Sequence, residues 1–152
     1  VKALTKIAKE HGYESKLITA VEEVNDAQKL VIAQKIVKRF GEDLTGYNFG
    51  VWGLAFKPGT DDMREAPAIY VIKELVKRGA MIKAYDPKAV NEAKEHYLKG
   101  VQNIQVFTDS FVALNGRPSQ RFIDPNFDLL STKESFSSKQ WILPLNYEIK
   151  GF

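Results

Sequence analysis

Residues 50–67 read GVWGLAFKPGTDDMREAP, and three kinds of chain follow one another within them. A small, apolar run, FGVWGLAF if Phe49 is included, is short and bounded by turn residues, which predicts a buried parallel strand. The residues after it carry Lys57, Asp61, Asp62 and Arg64. Pro67 then stands where a helix can begin, because the first helical position needs no N–H. A charged loop is therefore expected at the carboxyl end of a buried strand.

Downstream, APAIYVIKELVKRGA places Ile69, Ile72, Leu75 and Val76 on one helical face and stops at Gly79. MIKAYDP predicts a second strand ending at Pro87, KAVNEAKEHYLKG a helix, IQVF a third strand and DSFVALNG a helix closed by Gly116. Strand and helix in strict alternation imply an α/β fold, a Rossmann-like parallel sheet with flanking helices. A fourth apolar run is expected soon after Gly116, but Arg117-Pro118 follows, and only WILPL near the end reads as another strand. A segment of strand length is thus expected to be absent between Gly116 and Arg117.

Upstream, residues 20–40 show a wide apolar stripe that includes Val24, Ala27, Val31 and Ile32, with Thr19 as the expected N-cap and Gly41 as the stop. So broad a face needs cover from a neighbouring helix or a second copy of the chain. Val1, Leu4, Ile7 and Ala8 outline an earlier helix ending at His11-Gly12. The chain starts inside this helix without methionine, which predicts a piece of a longer protein.

At 152 residues and 44% hydrophobic composition, the chain has the size of one domain. Its net charge of +3 is small and dispersed, which argues against nucleic acid and membrane surfaces as partners. With no cysteine and two distant histidines, disulfides and Cys-based metal sites are excluded and no metal site is expected. No signal sequence or long apolar span is present in the 152 residues, and a cytoplasmic location is the expectation.

In a parallel sheet of this kind ligands bind beyond the carboxyl ends of the strands, where helix N-termini favour anions. Lys57 and Arg64 add positive charge there, while Asp61 and Asp62 are expected to cap the following helix and to position the two cations. The plainer alternative is a solvated turn. A third reading makes Asp86, at the end of the second strand, the ribose-binding acid of a dinucleotide site, but the spacing at Gly50 and Gly53 is G-x-x-G where that site needs G-x-G-x-x-G.

GLAFKPGTDDMREAP followed by YVIKELVKRGAMIKAYDPKA resembles the C-terminal, UDP-binding domain of the UDP-glucose/GDP-mannose dehydrogenase family, most closely its members that act on UDP-glucose. VEEVNDAQKLVIAQKI resembles the helix that links the two domains of those enzymes and forms much of their dimer interface. The resemblance implies residues 1–19 as the remnant of a preceding domain, 20–40 as the linking helix and 41–152 as the UDP-binding domain. It implies an enzyme that oxidises the C6 alcohol of a UDP-sugar in two NAD-dependent steps and works as a homodimer. Phe56 and Lys57 would contact the UDP-sugar, and Arg64 would reach towards NAD held mainly by the other domain. The family's nucleophilic cysteine would lie before Val1, so this chain alone is expected to be inactive. UDP-N-acetylmannosamine or GDP-mannose as substrate, or a stand-alone phosphate-ligand module, are the alternatives. The family's later D-G-R-N motif has at most Asn146-Tyr147 as a counterpart, without its arginine.

Overall fold

A computed structural model describes residues 2–108 and the backbone of residues 140–144. Helix α1 (Lys2–Glu10) leads through a short turn to α2 (Lys16–Phe40), then β1 (Asn48–Trp52), α3 (Pro67–Lys77), β2 (Met81–Tyr85), the short α4 (Val90–Glu92), β3 (Ile104–Phe107) and β4 (Gln140–Pro144). The four strands are all parallel, in the order β3-β2-β1-β4. The expected alternation is present as far as β3, and the WILPL run supplies the fourth strand. The helix expected over 109–116, the Gly116–Arg117 junction and Asn146-Tyr147 lie outside the described residues.

The strand order fixes where a ligand can bind. The chain steps from β1 to β2 to β3 on one side, and β4 pairs with the opposite edge of β1. The carboxyl end of β1 therefore sits at the switch point, the place where connections leave in opposite directions and open a crevice. The charged loop leaves from that end.

Burial alternates with the two-residue period of a strand. Phe49 and Val51 of β1 and Ile82 and Ala84 of β2 are buried, while their neighbours Gly50, Lys83 and Tyr85 are half-buried. Ala33 and Ile36 of α2 join Ile72 and Leu75 of α3 in the same core cluster. Two helix ends follow from glycine. At α3 the N–H of Gly79 donates to Val76 O and that of Ala80 to Leu75 O, a Schellman closure with Gly79 at φ +89°. At α1 the same pair runs from Gly12 to Lys9 and from Tyr13 to Ala8, with Gly12 at φ +71°.

Three expectations shift. The N-cap of α2 is Ser15, not Thr19, so the helix starts a turn earlier and Thr19 lies inside it, its N–H donating to Ser15 O. The strand expected to run through Phe56 ends at Trp52, because the amides of Leu54 and Ala55 bond a side chain instead of a neighbouring strand. The helix expected over 88–100 is one α-turn continued as a π-turn, Ala93–Tyr97, where the Leu98 N–H reaches Ala93 O. That wider turn brings residues five apart towards one side, and Ala93 and Leu98 are both buried. Within one copy of the chain, the stripe on α2 is covered in its second half and open in its first. Val31 and Ile32 are half-buried, whereas Ala27 and Val24 are exposed, Val24 by 68%. Among the described residues no helix is long and apolar enough to cross a membrane.

Candidate functional site

The loop between β1 and α3 is built from its ends inward. At its start, the buried carboxylate of Asp86 accepts four backbone N–H groups: Leu54 and Ala55 on Oδ2 at 2.8 and 3.1 Å, Lys88 and Ala89 on Oδ1 at 2.8 and 2.9 Å. Every favourable acceptor position of a carboxylate is thereby occupied. Asp86 is a brace between two strand ends, and the reading that gives it a ribose hydroxyl is overturned, since it points into the protein and has no lone pair left for a sugar.

In the middle of the loop, Phe56 N–H donates to Asp62 O at 2.8 Å and closes residues 57–61 into a tip. The Thr60 hydroxyl donates to Lys57 O at 2.9 Å and tightens that tip. Met63 is 1% exposed and pins the returning limb into the core. What remains outside is the chemistry. Phe56 is 52% exposed, and the Lys57 ammonium lies 5.9 Å from its ring centroid. Among the described residues no carboxylate forms an ion pair with Lys57, so an exposed cation and an exposed aromatic face stand together at the end of β1.

Arg64 is held differently. Its Nε and terminal nitrogen form a two-pronged pair with Asp62, at 2.9 and 2.8 Å, and its backbone N–H reaches Asp62 Oδ1 at 3.0 Å. These bonds, the Arg64 side chain first and its backbone second, hold the Asp62 carboxyl down at about 2, with Lys57 a further positive influence. The expectation that the aspartates orient the two cations is met for Arg64 alone, through Asp62. The expectation that they cap α3 is not: its N-cap is Ala66, with no side-chain bond, and Pro67 supplies the first turn. The structure thus joins Phe56 and Lys57 at one point and sets Arg64 beside them through Asp62.

A cleft of about 660 Å³ opens between this loop and α1–α2, lined by Phe56, Glu65, Pro67, Lys29, Glu22 and Asn25 among others. Its floor holds a cluster that sequence pattern did not single out. Glu65 accepts from Lys29 at 2.5 Å, Lys2 at 2.9 Å and the Tyr70 hydroxyl at 2.9 Å. Those three bonds lower the Glu65 carboxyl to about 2. Burial works to lower the Lys29 ammonium, yet hydrogen bonds to Asp26 and Glu65 outweigh it, and its pKa is raised. The one sequence signal for this cluster was a lysine beside the apolar stripe of α2.

Comparison with known proteins agrees with this architecture. Residues 50–116 match the family model described as the UDP-glucose/GDP-mannose dehydrogenase family, UDP binding domain. The chain is 44% identical over 112 residues to UDP-glucose 6-dehydrogenase TuaD of Bacillus subtilis, covering 74% of this chain and 23% of that protein. It is 40% identical over 89 residues to the UDP-glucose 6-dehydrogenase of Pseudomonas aeruginosa, covering 59% and 20%. The chain thus spans about a fifth to a quarter of the length of these relatives. Among solved structures, a UDP-glucose dehydrogenase from Pyrobaculum islandicum superposes with a TM-score of 0.64 at 32% identity, over 74% of this chain and 25% of that one. A GDP-mannose dehydrogenase from Pseudomonas aeruginosa, at 24% identity and TM-score 0.58 over 96% of this chain and 34% of that one, shares the fold. Residues 50–52 of β1, the loop from Phe56 to Arg64 and the whole of α3 fall within the matched residues, and through this segment the chain carries the UDP binding domain of the UDP-glucose/GDP-mannose dehydrogenase family.

Proposed function

We propose that this chain is the substrate-holding part of an NAD-dependent UDP-glucose 6-dehydrogenase, which oxidises UDP-glucose to UDP-glucuronate. The observation that carries the reading is the pairing of exposed Phe56 with Lys57 at the carboxyl end of β1, on a loop braced from beneath by Asp86. Lys57 supplies a point charge for a phosphate or sugar oxygen, and Phe56 supplies a flat apolar face beside it. Because the loop is closed by its own backbone bonds, these groups are presented with little ordering left to do on binding.

NAD, when bound, accepts the hydride from the sugar. The described residues fit a contact to that cofactor but not its whole binding site: Asp86 is spent on backbone amides, and the exposed Arg64 guanidinium keeps N–H groups beyond those used by Asp62. Residues 1–19 are assigned to a preceding domain, 20–40 to the linking helix and 41–152 to the UDP-binding domain, all in a cytoplasmic enzyme. A homodimer is supported by the exposed apolar residues Leu17, Val21 and Val24 along the first half of α2.

Calorimetric titration of the chain with UDP-glucose, UDP and GDP-mannose tests the reading. Binding of the two uridine ligands over GDP-mannose is expected. With no cysteine in its 152 residues, the chain by itself is expected to reduce no NAD. Absence of UDP-glucose binding, or NADH formed by this chain alone, sinks the assignment.

A further inference from the structure

Glu65 directly follows Arg64 and adopts φ +59°, the left-handed region in which a residue with a Cβ is strained. Such a conformation persists where the surroundings over-determine it. Here three donors converge on one carboxylate oxygen, Oε2, each from a different helix: Lys2 of α1, Lys29 of α2 and Tyr70 of α3. Lys29 is itself fixed. Its side chain is 12% exposed, its ammonium also bonds Asp26 at 2.8 Å, and it lies 4.5 Å from the Tyr70 ring centroid. A solvated surface ion pair has no such enclosure and no strained backbone beneath it.

The junction is connected to the candidate ligand groups by a short run of bonds. Glu65 turns the chain between Arg64, which projects outwards, and Ala66-Pro67, which enters α3. Arg64 is locked to Asp62, and the carbonyl of Asp62 holds the Phe56 N–H. We propose that Glu65 is a positioning residue: through the Lys2–Lys29–Tyr70 junction it locks the loop carrying Phe56 and Lys57 to helices α1 and α2, so that arm and ligand loop move as one body. The ligand half of this inference rests on the proposed UDP-sugar reading. Loosening at α2 would then loosen the ligand handle without any contact between Lys29 and the nucleotide sugar.

The test compares the unaltered chain with Glu65→Gln, Lys29→Met and the double variant, reading amide hydrogen exchange and UDP-glucose affinity together. Glu65→Gly is a fourth variant that removes the junction while relieving the backbone strain, so that folding is retained. The expected result is exchange at the Phe56 and Arg64 amides faster by about tenfold, with the amides of β1 and β2 at their original rates. UDP-glucose affinity should fall about five- to tenfold in each single variant. The double variant should be no worse than the weaker single, because both substitutions break one junction. A general loss of stability would instead speed exchange throughout the sheet and leave affinity of the folded fraction unchanged. Unchanged Phe56 exchange in Glu65→Gln and Glu65→Gly overturns the proposal, as does additivity in the double variant. Faster loop exchange in the variants, with no UDP-glucose bound by the unaltered chain, supports the lock and overturns the assigned function alone.

Discussion

Asp86 Oδ2 accepts the backbone N–H of Leu54 at 2.8 Å, across the gap between the ends of β1 and β2. With Ala55, Lys88 and Ala89 also bonded, the carboxylate is 3% exposed and serves four donors. Asp86→Asn keeps the shape but turns an NH2 group towards two N–H donors. The expected cost is about 3 kcal/mol, since two charge-assisted bonds are lost and buried amides are left facing a donor. The shift in urea midpoint at constant slope measures it, and a loss below about 0.5 kcal/mol would show that the brace is not structural.

The difference between what was legible and what was not lies in the kind of signal. β1, β2 and β3 announce themselves as apolar runs closed by turn residues, and burial of Phe49, Val51, Ile82 and Ala84 follows from that pattern. Asp86 and Glu65 do not, because their partners are 31 and 36 residues away, at Ala55 and Lys29, and a carboxylate facing backbone amides looks in sequence like one facing solvent. Thr19 was a plausible cap by residue type, but Ser15 sits one turn earlier, and both residue types favour that position. The ligand loop was legible through its resemblance to a family; its charges alone fitted a solvated turn equally well.

Gly79 should not tolerate a side chain. At φ +89° an added Cβ is strained, and it would lie 2.5 Å from Thr45 Oγ1 and 3.3 Å from the Thr45 backbone nitrogen. Gly79→Ala is therefore expected to lower stability by about 2 kcal/mol, the left-handed penalty plus the displacement of residue 45. Thermal unfolding checks this. Because α3 follows the ligand loop but Gly79 lies at its far end, UDP-glucose affinity of the folded protein should stay within about twofold.

Lys57→Ala separates ligand handle from solvated turn. A charge-assisted contact is worth about 1.5–3 kcal/mol, so UDP-glucose affinity should fall roughly ten- to a hundredfold. The side chain is exposed and takes no part in the core, so the melting temperature should not move. Titration calorimetry beside a thermal scan reads both, and unaltered affinity would return this loop to the role of a charged turn.

The exposed half of α2 gives a test of assembly. Leu17 is 79% exposed, Val24 68% and Val21 43%, a density of apolar surface that a solitary helix face does not need. Val24→Glu is expected to shift sedimentation from dimer towards monomer, while the circular dichroism of the folded chain is retained. A protein that sediments as a monomer before substitution removes the dimer from the proposed function.

The last expectation concerns acid. Hydrogen bonds from Lys29, Lys2 and Tyr70 lower the Glu65 carboxyl from 4.5 to about 2 in the folded protein. The unfolded chain then takes up a proton before the folded one does, so stability from this group is fully present above about pH 4.5 and is lost as pH falls towards 2. Lys29 is shifted the other way, upwards, and its contribution fades only in strong alkali. The Glu65→Gln variant has no carboxyl to titrate. Its stability deficit relative to the unaltered protein should hence be constant between about pH 5 and 8 and should shrink as both are unfolded in urea at pH 4, 3 and 2.5. Nearly half of the Glu65 side chain is open to water, so screening trims the size of the effect but not its sign. A deficit that stays constant down to pH 2.5 would mean that Glu65 carries an ordinary carboxyl and that the three donors do not hold it in solution.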